Sequence, residues 1–360
     1  MHSQQTALVV LALAIVPCVA AQQLSSAQTP RPIIHGSFKL PEISAAAITG
    51  NRLLVAADDP EKKHGYHMIN CVAEPLSRLT AGNPIAATGD EQIYRVILRL
   101  LQGADAGEPG AAPFKDVEDM AVSPTGDVYL ITSHSRNKSN EEVPERQQLL
   151  RVRLDSGSTN PSSAVTSSVP IIPMLPAELQ EATKRRPGAG DAEGTPGLNI
   201  EGLAWSPEND LLIGLRSPLI ESKAVVLRLK NVDTMFDHPA DPAGTSSVTI
   251  EATLDLHGMG IRGMCYDEKE KGYWIIGGLS PDPEEVGISP DNDWTLWFWD
   301  SNHQLRRRME KNDLPQHMRL SNPEAVCVLP GNDADYVLLI SDDSKSKPSS
   351  YVLVPRNQLK

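Results

Sequence analysis

Asn199-Ile-Glu-Gly-Leu-Ala-Trp-Ser-Pro-Glu-Asn-Asp-Leu-Leu-Ile-Gly-Leu-Arg-Ser217 is the stretch that decides the fold. It reads as a strand over 200–205, a turn over 206–210 and a second strand over 211–215. Glu201 opens the hairpin and Arg216 closes it. Because the strands run antiparallel, both charges lie at one edge.

The unit recurs along the chain. Val117-Glu118-Asp119-Met120-Ala121-Val122 leads into 127–134, Ile261-Arg262-Gly263-Met264-Cys265-Tyr266 into 272–278, and Pro323-Glu324-Ala325-Val326-Cys327-Val328 into 336–343. A weaker copy, Ile43-Ser44-Ala45-Ala46-Ala47-Ile48, leads into 52–59. The second positions are Ser44, Glu118, Glu201, Arg262 and Glu324, spaced 74, 83, 61 and 62 residues apart by subtraction. Alternate residues of a strand face opposite sides. One side of these strands is mostly small: Ala45 and Ala47, Asp119 and Ala121, Gly202 and Ala204, Gly263 and Cys265, Ala325 and Cys327. The other is bulky, as at Met120, Leu203, Trp205, Met264 and Val326. Inner strands crowded around the axis of a propeller need that asymmetry, and a free-standing hairpin does not.

These features predict an all-β fold, a five-bladed β-propeller of four-stranded blades, with six blades the alternative if 70–101 hides another inner hairpin. The last hairpin is followed by only one more strand, 350–355, so its blade lacks a member. A strand over 33–40 at the start of the chain could supply it and close the ring without an exposed edge. Outer strands are expected at 147–154, 224–229, 295–299 and 305–310, a short helix at 176–183, and either strand or helix over 93–101. The stretches 156–168, 184–198 and 281–293 read as surface loops.

The first residues carry a different signal. Thr6 to Val16 is an apolar run followed by Val19-Ala20-Ala21, the pattern of a secretory leader over 1–21, too short to span a bilayer. A Gln/Ser/Pro-rich stretch, 22–32, reads as a flexible start to the mature chain, and 33–360 as a single propeller domain. The protein is therefore expected to be exported, periplasmic or extracellular. No later segment is apolar enough to cross a membrane. The formal charge of −13 speaks against nucleic acid as a partner and is otherwise what solubility requires. Beyond the leader lie Cys71, Cys265 and Cys327, an odd number without metal-ligand spacing, and two of them, Cys265 and Cys327, stand where other repeats place Ala. They read as small buried residues.

Charged residues converge at the hairpin edge: Glu118, Glu201, Arg262 and Glu324 at strand starts, and Asp58, Asp59, His134, Arg216, Asp342 and Asp343 at strand ends. Carboxylates cannot crowd together ionised without compensation. Three arrangements satisfy that condition. An Arg–Glu network closes the channel; or Glu201, Glu324 and Asp342 hold a divalent cation such as Ca²⁺; or Arg216 and Arg262 grip a small anionic ligand with His134 or Glu118 moving protons. The last two together are what a phosphoester hydrolase would use. Asp291-Asn-Asp293 lacks the Gly and distal Glu of a calcium loop, and His64 and His67 lack a third zinc ligand. There is no nucleophile elbow, phosphate-binding loop or His-Glu-x-x-His.

Several stretches resemble an uncharacterised bacterial family of secreted propellers, a domain of unknown function: Glu118-Asp-Met-Ala-Val-Ser-Pro-Thr-Gly-Asp127, Arg146-Gln-Gln-Leu-Leu-Arg-Val152, Asn199-Ile-Glu-Gly-Leu-Ala-Trp-Ser-Pro207, Gly260-Ile-Arg-Gly-Met264 and Ile340-Ser-Asp-Asp343. The repeats are more loosely similar to esterase-like phytase propellers and to the gluconolactonase group. That likeness implies a metal ligand at Glu201 and a catalytic base and ligand at Asp342. Arg216 and Arg262 depart from its metal-site pattern and point to an anionic ligand.

Overall fold

Among the described residues, twenty strands assemble into five antiparallel sheets of four. β1 (Ile34–Ser37) opens the chain, and the first blade is β2 (Ile43–Thr49), β3 (Arg52–Ala57), β4 (Met68–Ala73) and β5 (Val96–Ile97). The second is β6 (Val117–Val122), β7 (Val128–Thr132), β8 (Leu149–Arg153) and β9 (Val165–Val169). The third is β10 (Asn199–Trp205), β11 (Leu211–Ser217), β12 (Ala224–Lys230) and β13 (Ser247–Leu254). The fourth is β14 (Met259–Asp267), β15 (Gly272–Leu279), β16 (Trp294–Asp300) and β17 (Leu305–Glu310). In the fifth, β18 (Pro323–Leu329), β19 (Tyr336–Ser341) and β20 (Ser350–Pro355) are completed by β1, with His35 opposite Val352. The computed structural model describes residues 31–58, 68–73, 75–81, 96–97, 114–153, 165–187, 196–238, 242–280, 293–330, 335–343 and 347–359. The leader, the loop carrying His64 and His67, Asp59, and Asp291-Asn292 lie outside these residues.

Each inner strand, β2, β6, β10, β14 and β18, lies against the next, and β18 returns to β2. The ring is thus closed by five, which corrects the six-blade alternative: β4 and β5 are the outer strands of the first blade rather than part of a further inner hairpin. The ambiguous stretch 93–101 contributes the strand β5. Between the second and third blades the expected helix forms as α2 (Ala177–Gln180), following α1 (Pro75–Thr80) in chain order. Among the described residues no helix is long and apolar enough to cross a membrane.

Burial follows from the alternation within each sheet. The core is divided into five wedges, each between two neighbouring blades. Leu203, Ile213 and Val225 of the third blade meet Tyr129 and Ile131 of the second. Trp274, Trp294 and Leu296 of the fourth meet Val337, Leu339 and Val352 of the fifth. With both faces of every blade covered, nearly every residue of the middle strands is buried. Each large apolar side chain so buried contributes about 1.5–3 kcal/mol.

Towards the axis the five inner strands share one irregularity. The pairing register of each shifts at the same place, between Ile43 and Ala45, Val117 and Asp119, Ile200 and Gly202, Ile261 and Gly263, and Pro323 and Ala325. The residue inside each bulge is Ser44, Glu118, Glu201, Arg262 or Glu324. A bulge sets two residues against one on the partner strand and re-aims their side chains. At Gly263 the strands approach so closely that a Cβ would overlap the carbonyl oxygen of Glu324.

Asp119, the polar member of the small column, uses this crowding. Its Oδ2 accepts the backbone N–H of Leu203 in β10 (2.7 Å) and of Met264 in β14 (3.2 Å), and its Oδ1 that of Met120 (2.8 Å). One fully buried carboxylate therefore joins three blades at the axis. Burial raises its pKa well above the carboxylate range, opposed by these three N–H groups. Asp119→Ala would leave two cross-blade N–H groups unpaired, each costing about 1–3 kcal/mol. A lowered urea midpoint with an unchanged slope is the expected result.

Candidate functional site

The bulge residues of the third, fourth and fifth blades form a ladder of alternating charge. Glu201 Oε1 accepts from Arg216 Nη1 (2.7 Å) and from Asn199 Nδ2 (2.8 Å), and Glu201 Oε2 lies 3.3 Å from Arg262 Nε. Arg262 continues through Nη2 to Glu324 Oε1 and through Nη1 to Asn322 Oδ1, and Asn322 Nδ2 donates to Glu324 at 3.0 Å. Glu201, Arg262 and Glu324 are all buried. Two carboxylates and two guanidinium groups balance.

The electrostatics follow from that geometry. Burial alone would raise Glu201, but Arg216 and Arg262 together hold it below the ordinary carboxylate range. Glu324 is pushed up to about 7 by burial and by Glu201 and Asp342, with Arg262 opposing. Despite its burial, Arg262 is held more firmly protonated by Glu324 and Glu201.

On the second blade the pattern breaks. In Asn199-Ile-Glu201 and Asn322-Pro-Glu324 an Asn two residues before the bulge donates to the Glu; at the same place the second blade has Asp116, in Asp116-Val-Glu118. Asp116 can only accept when ionised. It takes a hydrogen bond from Ser133 Oγ, and its Oδ2 sits 3.2 Å from Arg146 Nε. The end of β3 adds Asp58, whose carbonyl accepts the N–H of Asp116 and of Val117, each at 3.1 Å. One oxygen each from Asp58, Asp116 and Glu118 all lie within 4.8 Å of one another. Glu118 is raised well above its usual value by burial first and then by Glu201, Asp116, Asp58 and Glu324.

The expected site residues are therefore sorted into different roles by position. Glu201 and Glu324, expected as metal ligands, face arginine. Among the described residues the metal-compatible group is Asp58, Asp116 and Glu118, of which Glu118 is expected from the sequence as a proton carrier, Asp58 as a charged strand end, and Asp116 not at all. The Asn/Asp alternation before the bulge is the sequence signal that marks it. Asp342, held through its N–H to Asn322 O at 2.9 Å, lies near enough to Glu324 and Arg262 to perturb both. His134 follows β7 with a left-handed backbone, φ 57°, and its Nδ1 lies 2.7 Å from Thr132 O. Buried, with its pKa lowered to about 4 by desolvation, it is neutral at pH 7, and its Nε2 has no hydrogen-bond partner.

The two arginines also differ. Arg262 spends Nε, Nη1 and Nη2 on Glu201, Asn322 and Glu324. Arg216 spends Nε on Leu279 O (3.0 Å) and Nη1 on Glu201, and its side chain is 24% exposed. Both line a cavity of about 210 Å³ with Trp294, Ser321 and Asn322. The larger cavity, about 400 Å³, lies at the hairpin-turn end of the inner strands, away from these charges.

This is a five-bladed β-propeller with a charged channel mouth. Residues 192–350, covering most of the last three blades, match a family model described as "Protein of unknown function (DUF3616)". No curated protein matches. Among solved structures, the chain is similar to the PQQ-bound aldose sugar dehydrogenase of Streptomyces coelicolor (14% identity, TM-score 0.41, 91% of this chain and 100% of that one). It is also similar to an engineered GH43 glycoside hydrolase (11%, TM-score 0.46, 91% and 51%) and to the Dos1 propeller (9%, TM-score 0.33, 86% and 57%). At these identities and scores none bears on the chemistry at the mouth.

Two outcomes follow from the charges. Arg262→Met would leave Glu201 and Glu324 in the channel without their shared cation. By the behaviour of buried pairs that lose one partner, it should cost about 3–5 kcal/mol in unfolding free energy. Glu118 has the opposite sign. With its native pKa above the unfolded one, the folded state binds more protons between the two values, so its contribution falls as pH rises through that window. Without divalent cations, Glu118→Gln should melt higher than the parent at pH 8 and level with it at pH 4, as followed by calorimetry.

Proposed function

We propose that the protein is an exported hydrolase of small anionic esters, phosphoesters foremost, acting at the charged mouth with a divalent cation held by Asp58, Asp116 and Glu118. The observation that carries this reading is the convergence of these three carboxylates within 4.8 Å of one another. Ligand oxygens on opposite sides of one Ca²⁺ stand up to about 5 Å apart, twice a ligation distance of roughly 2.3–2.6 Å. An all-oxygen set suits Ca²⁺, with backbone carbonyls and water completing the shell. Such an ion, when bound, polarises an ester or phosphoryl oxygen and acidifies water.

The chain's own residues supply the rest. Arg216 offers the guanidinium face not taken by Glu201 and Leu279 to an anion in the 210 Å³ cavity. Glu118 exchanges its proton for the cation, so binding tightens as pH rises. Glu324, pushed up to about 7, also has a proton to exchange at neutral pH. Arg262 and Glu201 keep these groups in place.

The self-neutralised ladder favours a second reading, a non-catalytic propeller that binds a cation or a small ligand at the same mouth. One experiment separates the two. Under the first reading, Ca²⁺ raises the melting temperature and supports hydrolysis of p-nitrophenyl phosphate that a chelator abolishes. At one hundred times the dissociation constant the stabilisation is about 2.7 kcal/mol. Asp116→Asn, which gives the second blade the Asn-x-Glu pattern of the third and fifth, should remove both effects yet raise the melting temperature of the cation-free protein. Stabilisation by Ca²⁺ without turnover would leave the binding reading; no response to Ca²⁺ at all would overturn both cation assignments.

A further inference from the structure

We propose that the opposite mouth of the channel is a second binding site, for an uncharged and largely apolar small molecule. The geometry repeats in all five blades. Four residues beyond each bulge, some 13 Å along the strand at about 3.3 Å per residue, stand Ile48, Val122, Trp205, Tyr266 and Val328. These five side chains are only partly buried. They occur one per blade at the end where hairpin turns meet solvent, each packed against an apolar wedge yet still partly exposed.

Below this apolar rim the funnel continues inward. Ala47, Ala121, Ala204, Cys265 and Cys327, one per blade, line the same 400 Å³ cavity. That volume falls in the range of about 300–1,000 Å³ typical of small-molecule sites, whose walls are mostly apolar. The walls are also uncharged. Burial pushes the Cys265 and Cys327 thiols up, so both stay protonated. The acidic lining residue, Glu268, is exposed and paired with Lys271. An anion or cation therefore finds no partner in the funnel, in contrast to the far mouth, and a concave pocket of this depth suits a small molecule better than a flat protein face.

The site is independent of the reading of the charged mouth, and its test does not use that activity. Titration of the full chain with the uncharged fluorescent probe N-phenyl-1-naphthylamine should show saturable binding at one probe per chain. Ala121→Phe, which fills the channel, and Val328→Lys, which puts a charge on the rim, should each weaken it at least tenfold, with circular dichroism confirming the fold. Should Ala121→Phe fail to fold, the partly exposed Val328 position still decides. Absence of saturable binding, or binding indifferent to a folded variant, overturns the proposal. So does one probe per two chains with a doubled mass by light scattering, which would make this face an interface between copies.

Discussion

Everything in this molecule is arranged around the crowding of five inner strands at one axis. A ring of five leaves little room, and the chain meets that limit in two ways. It places Ala, Gly and Cys on the axial side of the strands, and it bulges every strand at the same residue. The bulge explains why two consecutive positions both reach inward: Glu118 lies near the carboxylates of other blades, and its neighbour Asp119 binds Leu203 and Met264 across the channel. Without the register shift, one of each such pair would face a wedge of apolar side chains. Burying an unpaired charge there would cost more than the fold can offset.

The same constraint decides which charges are structural and which are free to act. Carboxylates forced together must be compensated, and the third, fourth and fifth blades do so internally. Each Glu there has an Asn two residues earlier as a neutral donor and an arginine as counter-charge. The second blade has the Glu but replaces the Asn by an Asp, and Arg262 acts on Glu118 only at a distance while Arg146 pairs with Asp116. The mouth is thus half neutral and half acidic. This division also separates Arg262, locked by three partners, from Arg216, whose side chain stays partly exposed.

Most of the architecture was legible in the chain because the hairpin and its two columns recur with little change. Alternation located the inner strands, the missing fourth strand of the last blade pointed to β1, and 305–310 and 350–355 fall where β17 and β20 stand. Two things were hidden. A bulge has no residue signature when its occupant is Ser, Glu or Arg rather than Gly, so the strand starts read as unbroken. And alternation does not weigh the polar residue before the bulge, so it passes over the difference between Asn199, whose amide can donate a hydrogen bond, and Asp116, whose carboxylate cannot. Glu201 and Glu324 were expected at a metal because they open strands at the mouth; only the placement of Arg262 between them assigns them to the ladder. Asp119, ranked with the small residues by its column, is a joint between blades, a role that depends on N–H groups 84 and 145 residues away.

The two ends of the channel differ for a reason that lies in strand geometry rather than in any one residue. At the bulged end, second strands return close to the axis, and their terminal residues, Asp58, Arg216 and Asp342, join the bulge residues, so polar groups accumulate. At the turn end, hairpins carry Ser123, Pro124, Ser206 and Pro207 outward around the funnel, leaving the last residues of each inner strand to line it. Those positions bear Val122, Trp205, Tyr266 and Val328, and their side chains also seal the ends of the five apolar wedges. An apolar rim is therefore demanded by the core beneath it, but sealing requires only that each side chain cover its own wedge. That all five remain partly exposed, above a column of alanine and cysteine small enough to keep the channel open, is more than the core asks for.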